Sequence, residues 1–366
     1  MKRLLLSFLG LCCAFSLYAG EYRRLGQDYR SLAMGNTGIV SATNNSALSY
    51  NPATMANIFD WWIDLPMFEA TYSDEAKDLY DTAKDGGFNL ETQEEQFDFM
   101  EEFVGQNPYI KARLGFNLYA NVNPKGFTLG GNYTYEAVLD LKVRNPSLPQ
   151  IEGLIRLDHV RQYGFSYPIG MGQLVLGMSY KTIERQELEY LYGMGDALNN
   201  VEFPTLEDDG TSGIGSGYDV GFLYRMDTAA RVTLGGVYRK AIDLGEATPI
   251  PEEIALGIGS TQEWGMFRLS SALDLRDLTF KAGEEDDRSM ARRTHLGFEF
   301  GIVPLSKGYS MFSIRTGLAQ GHQSRGAEIS LGRNMVFGYT QYYEETGVLA
   351  GQTPNHRTIV YFSMGI

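Results

Sequence analysis

Cysteine is all but missing from this 366-residue chain, since only Cys12 and Cys13 are present, side by side near the N-terminus. No disulfide framework and no thiolate metal site can be built from them elsewhere in the fold. Long hydrophobic runs are missing too. The longest, Leu4 to Leu17, falls short of the roughly 20 apolar residues a helix needs to cross a bilayer, and mean hydropathy is −0.22. A bundle of membrane helices is thereby excluded. Positive charge is in deficit, with 31 Lys and Arg against 45 Asp and Glu and a net charge of −14, so nucleic acid is excluded as a partner because an acidic chain repels phosphate. Proline (12) is scarce, whereas Gly (42), Tyr (23) and Phe (20) are abundant. Glycine and aromatics without cysteine point to long strands rather than a helical enzyme.

Residues 1–19 read as a secretory signal peptide. Lys2 and Arg3 precede the apolar stretch, and Leu17-Tyr18-Ala19 offers a small-residue cleavage site with Ala19 the last residue removed. Both cysteines lie within it. Leu11 before Cys12 is not the small residue that a lipoprotein site needs. The mature chain is therefore expected to be exported and free of cysteine.

The architecture comes from alternation. In Phe127 to Val143 the residues Phe127, Leu129, Tyr133, Tyr135, Leu139 and Leu141 share one parity, and Thr128, Asn132, Glu136, Asp140 and Lys142 the other. A period of two sustained this long exceeds the usual sandwich strand of about 5–6 residues and suits a strand tilted across a bilayer. Segmenting the whole chain predicts fourteen strands, near 61–72, 109–122, 126–143, 151–168, 173–185, 215–225, 230–241, 252–260, 265–276, 290–302, 308–318, 326–332, 335–343 and 357–366. Short turns at 123–125, 170–172, 226–228, 263–264, 304–307 and 333–334 alternate with longer connections, notably 73–108, 186–214, 242–251, 278–289 and 344–356. An even strand count with one short-turn rim and one long-loop rim predicts a fourteen-stranded antiparallel transmembrane β-barrel of an outer membrane. A secreted sandwich or propeller does not explain the asymmetry of the rims.

This register assigns the faces. The apolar parity is expected to meet lipid, with Trp61, Trp62, Trp264 and many tyrosines as an aromatic belt. The lumen is expected to carry Arg113, Asp140, Lys181, Asp219, Arg231, Arg239, Arg268, Asp274, Arg293, His295, Glu299, Arg315 and Glu328, with both signs interspersed. One strand fits badly. In 151–168, His159 and Arg161 share parity with Leu157 and Tyr163, and a β-bulge near Asp158 would repair it.

Residues 20–60 contain no strand of barrel length. They carry Ser31-Leu32-Ala33-Met34-Gly35-Asn36-Thr37-Gly38, then Ala42-Thr43-Asn44-Asn45-Ser46-Ala47, then Tyr50-Asn51-Pro52-Ala53. This order of signals resembles the N-terminal region of FadL-type outer-membrane transporters, whose members carry long-chain fatty acids and aromatic hydrocarbons, and of related barrels in conjugal-transfer and secretion systems. The resemblance is specific over about forty residues and implies a hatch over 20–60 with Met34, Gly35, Gly38, Asn51, Pro52 and Ala53 as its signature, ahead of a barrel over 61–366. It also implies passive uptake of a small hydrophobic molecule. A structural component that scaffolds an envelope or secretion machine, with a periplasmic protein partner, and an aqueous pore for polar solutes are the alternatives. The implied location is the outer membrane of a Gram-negative-type bacterium, in contact with its lipid, with both termini periplasmic and the long loops outside. Read physically, Gly35 and Gly38 allow positive φ and close backbone approach, and Asn51 before Pro52 favours an extended or turn geometry.

Two departures from the family pattern stand out. FadL-type transporters pass ligand sideways at a kinked third strand, whereas 126–143 alternates without interruption. Their loops form an apolar capture groove, whereas loop 73–108 here is acidic. Within it Thr92-Gln93-Glu94-Glu95 is a capping box ahead of Phe97, Met100, Phe103 and Val104 on one helical face, with Gly105 to end the helix. Such a helix is either a lid over the mouth or an element that buries its stripe against the rim.

No catalysis, cofactor or metal is expected. Of the four histidines, His159, His295, His322 and His356, only His322 has a nearby serine, Ser324, and adjacency is not a triad. Gly213-Ile214-Gly215-Ser216-Gly217 lacks the helix that a phosphate-cradling loop requires. Glu207-Asp208-Asp209 and Glu284-Glu285-Asp286-Asp287 hold carboxylates suited to Ca²⁺, but such surface clusters are more often simply solvated.

Overall fold

The computed structural model describes residues 25–43, 46–58, 61–84, 93–122, 126–144, 149–199, 201, 204–281, 289–306, 309–332, 335–346 and 353–365. The signal-peptide stretch and the acidic run 284–287 lie outside them. Fourteen antiparallel strands close into a barrel: β1 (Trp61–Ser73), β2 (Tyr109–Asn121), β3 (Thr128–Arg144), β4 (Gln150–Ile169), β5 (Leu174–Gly193), β6 (Thr211–Arg225), β7 (Val232–Arg239), β10 (Glu253–Trp264), β11 (Phe267–Leu275), β12 (Thr294–Ser306), β13 (Tyr309–Ala319), β14 (His322–Leu331), β15 (Met335–Glu345) and β16 (Pro354–Gly365). The remaining two, β8 (Ile242–Leu244) and β9 (Ala247–Ile250), form a separate hairpin. Strand β1 pairs with β16, so no edge is left with unpaired peptide groups. All fourteen expected strands are present. The expected ends were short for β5, which runs on to Gly193, and the turn between β10 and β11 is Gly265-Met266 rather than 263–264.

Side-chain parity sorts the wall into two faces. Leu114, Phe116 and Leu118 of β2, Leu176 and Met178 of β5, and Phe222 of β6 point outward and are exposed. Charged residues such as Glu69, Arg113, Asp219, Asp274 and Glu299 point inward and are buried. That arrangement is the reverse of a water-soluble protein and suits a hydrocarbon surround. No described helix is long and apolar enough to cross a membrane. Trp61 (54% exposed) faces out, but Trp62 (7%) turns inward against Leu48, Met55 and Tyr119, with its indole N–H donating to Asp64 at 2.8 Å. The expected belt position of Trp62 is thus corrected: consecutive strand residues face opposite ways, so the two tryptophans cannot share a face.

On strands β4 to β7 the outward tyrosines fall into one row. Tyr163 is registered with Tyr180 and Tyr180 with Tyr218, whose ring lies 6.4 Å from Tyr238. This row explains the misfit in β4. Pairing of β4 with β3 and β5 is continuous from end to end, so the expected bulge near Asp158 does not exist. His159 and Arg161 do face outward, but on the long-loop side of the tyrosine row. There His159 stacks on Tyr135 with ring centres 4.3 Å apart and lies 3.5 Å from Glu184. The apolar rule for outward residues ends at the aromatic belt. Beyond it, the helix Gln93–Glu102 and the turn after it bury Phe99, Met100 and Phe103 against Val143, Ile151 and Tyr192 at the tops of β3, β4 and β5, with Phe97 packed alongside. Those wall residues share the outward parity of Tyr135 and Leu139, so the helix clasps the outside of the wall and is not a lid across the mouth. Gly105, at φ +82°, ends the turn that follows it.

A bulge in β1 separates the register at Asp64 and Met67 on both sides. Pro66, which has no N–H to give to a ladder, sits in it.

Candidate functional site

Fourteen strands enclose more space than their own side chains fill, since about eight strands is the number at which wall residues suffice. The interior of this barrel is occupied by residues 25–43 and 46–58. Asp28 accepts from Ser31 N–H at 2.5 Å and starts a short helix, Tyr29–Ala33. A second, Ala47–Tyr50, leads to Asn51, whose side chain accepts from Ala53 N–H at 3.0 Å and caps the 3₁₀ turn Pro52–Asn57. Asn at the cap and Pro in the first position suit that start, because the missing proline N–H would have had no partner there.

The wall grips this segment through its backbone. Asp274 accepts from Gly38 N–H (2.7 Å) and Ile39 N–H (2.9 Å). Gly35 N–H donates to Ser324 Oγ (2.9 Å), and its carbonyl lies 2.8 Å from His295 Nδ1. Asn51 donates to the Ile39 carbonyl (2.8 Å) within the segment and to the Phe222 carbonyl (3.2 Å) in the wall. Gln162 reaches the Leu48 carbonyl, Arg113 the Gln27 carbonyl and Thr340 the Tyr29 carbonyl. These contacts satisfy peptide groups of a segment with little regular structure of its own.

One buried ion cluster ties the segment to the far wall. Glu299 receives Arg30 from the segment at 2.9 and 3.1 Å and Arg315 at 2.6 Å, and Arg268 stands 3.5 Å away. Arg315 also reaches Glu328 at 2.8 Å, where Tyr29 donates at 2.6 Å. Burial works against the Arg30 cation, but the carboxylates of Glu299 and Glu328 together outweigh it and raise the Arg30 pKa above its usual value.

Glycine makes the fit possible. A Cβ on Gly35, which sits at φ +66°, would overlap the carbonyls of Leu296 and Leu318, and one on the wall residue Gly177 would overlap Ala53. Gly213, Gly215 and Gly217, which resemble a loop in the sequence, lie on β6 with their bare faces inward, and the hairpin β8–β9 folds into the barrel against them. Ile242, Leu244 and Ala247 pack there on Ile183. Leucine at Gly215 would overlap the Asp243 carbonyl. The G215L variant is expected to expel this hairpin, which faster proteolysis at Gly245-Glu246 would register. Unchanged proteolysis would sink the packing argument.

The sequence-expected residues divide by place. Arg113, His295, Glu299, Arg268 and Arg315 join the set that surrounds the segment, and Met34, Gly35, Gly38, Asn51, Pro52 and Ala53 lie buried within it or against the wall. Asp140 is buried on β3 beside Lys142, and Asp219 pairs with Lys181 at 2.9 Å. Two do not sit on wall strands. Arg231 is an exposed turn residue at φ +49° ahead of β7, and Arg293 closes a short helix at the opposite rim, 3.0 Å from Asp277. Both precede strands that begin later than alternation suggests. Gln162, Ser324 and Thr340 were missed because neutral side chains carry no charge signal, although their inward parity marks them. His322 pairs with Glu345 at 2.9 Å, whereas Ser324 Oγ is engaged by Gly35 and Ala33. Asp208 and Asp209 bond to Thr205, and no acidic cluster that could hold a metal is found among the described residues.

No protein-family model matches the chain, and no curated protein matches it in sequence. Solved structures do match it in shape. The Ralstonia pickettii toluene transporter TbuX superposes with a TM-score of 0.56 at 13% identity over 93% of this chain and 99% of that one. The P. putida toluene transporter TodX gives 0.53 at 12% over 93% and 99%. A Pseudomonas aeruginosa FadL homologue gives 0.52 at 12% over 94% and 99%. The chain shares the fold of FadL-type barrels along almost its whole length. It pairs β3 continuously with β2 from Thr128 to Asp140 and with β4 from Thr128 to Arg144.

Proposed function

We propose that this chain is an outer-membrane channel for small hydrophobic molecules, in which residues 20–60 act as a hatch whose rearrangement gates passage. No reaction is catalysed. The observation that carries this reading is a lumen filled by the chain's own N-terminal segment and held there by polar contacts that can exchange for water. A permanently open aqueous pore needs no such filling, and a scaffold needs no wall of inward glycines shaped to it. The apolar outward face and the tyrosine row support the membrane setting. The short-turn rim and both termini face the periplasm in this reading, and the long loops face outward. The hydrophobic cargo is supported by the names of the toluene transporters that share the fold.

Uptake decides it. Cells with an intact lipopolysaccharide leaflet that express the chain are expected to take up a radiolabelled aromatic hydrocarbon faster than cells carrying an empty vector. Equal rates, together with a protein partner that stays bound through purification, would move the reading to a scaffold. Large steady conductance of the purified chain in planar bilayers would move it to an aqueous pore.

A further inference from the structure

At the short-turn mouth, the segment and strands β6, β7, β10 and β11 enclose a cleft of about 350 Å³. Four arginines line it, Arg30, Arg225, Arg231 and Arg268, against a single carboxylate, Glu263. In a chain of net charge −14 this local reversal is notable for what the arginines lack. Arg30 is matched by Glu299. Arg268 is only 3% exposed, yet its Nε and Nη1 have no hydrogen-bond partner among the described residues, and its Nη2 reaches Glu299 only at 3.5 Å, a carboxylate already engaged by Arg30 and Arg315. Among the described residues the Arg225 guanidinium bonds only neutral acceptors, the Gly172 carbonyl at 3.2 Å and Asn57 Oδ1 at 2.8 Å. Arg231 lies exposed at the edge and makes no ion pair among the described residues.

A buried guanidinium with idle N–H groups is costly, and its planar fork suits the two oxygens of a carboxylate or phosphate. We propose that this cleft is an oxyanion site that takes the carboxylate or phosphate of a small molecule, with Arg268 as its buried anchor and Arg225 and Arg231 closing over it. The volume suits a small organic ligand. Passage of a neutral hydrocarbon has no use for such a site, so it adds a charged ligand to the hydrophobic one.

Calorimetric titration of the purified full-length chain with benzoate and, separately, with inorganic phosphate at constant ionic strength tests this. At least one anion is expected to bind saturably, and R268Q is expected to weaken it about tenfold, as losing a charge-assisted hydrogen bond does. Lys281→Gln, at the opposite rim, should leave it unchanged. Benzoate alone binding identifies an organic acid, and phosphate alone identifies a phosphate group. Should R268Q not fold, R225Q and R231Q, which leave the Glu299 cluster intact, must each weaken binding. Absence of saturable binding by both anions, or equal affinity in the arginine variants, overturns the proposal.

Discussion

Deletion of residues 25–58 is expected to turn an electrically quiet barrel into a conducting one. The wall is closed by strand-to-strand hydrogen bonds alone, from β1 paired with β2 round to β1 paired with β16, so the barrel does not depend on the segment for its ladder. Without the segment, the inward glycines would face water, and the buried charges, Glu69 with Arg113 and Asp158 with Arg185, would line an aqueous bore. Fourteen strands leave such a bore too wide for wall side chains to close. Discrete conductance steps in planar bilayers, absent from the intact chain, are the expected readout. A deletion variant that still migrates as a folded barrel on unheated gels yet conducts nothing would show that something other than the segment closes the lumen.

Replacing Glu299 by alanine is expected to have the largest effect of any single substitution. Glu299 is buried and serves Arg30, Arg268 and Arg315 at once. Its loss leaves three guanidiniums with Glu328 as their remaining acid in this cluster. Removing one partner of a buried ion pair typically costs about 3–5 kcal/mol. The cost falls first on the segment, because Arg30 is its ion-pair tie here while the wall keeps its ladder. E299A should therefore become sensitive to protease between residues 25 and 58 before the barrel itself unfolds, and its heat-induced unfolding should begin at lower temperature. Protease resistance equal to the unsubstituted chain would mean that the backbone contacts from Asp274, Ser324 and Gln162 hold the segment unaided.

Much of this was legible in the residues. Alternation in Thr128–Arg144 places Glu136 and Asp140 inside and Tyr135 outside, and pairing with both neighbours keeps them there. Period-two patterning is readable because side chains alternate by geometry whatever the tertiary context. The same logic places Glu299, Arg315 and His295 on the inner face. It fails where a residue's surroundings change along a strand. His159 broke the pattern in sequence because an outward position need be apolar only within the belt. Arg231 and Arg293 fell outside strands whose ends no local signal marks. The hairpin β8–β9 was invisible because strands of three and four residues with mixed polarity carry no distinct period, and the glycines that receive it look like those of any turn.

Strand number, the two faces of the wall and the unlike rims are readable from the residues alone, since each follows from local alternation and turn chemistry. What fills the barrel, which carboxylate each arginine meets, and that Arg268 keeps idle donors among the described residues emerge only when the chain is folded. Those outcomes depend on residues as far apart as Arg30 and Glu299, brought together by closure of the barrel, and no local pattern records which inward side chain will face which.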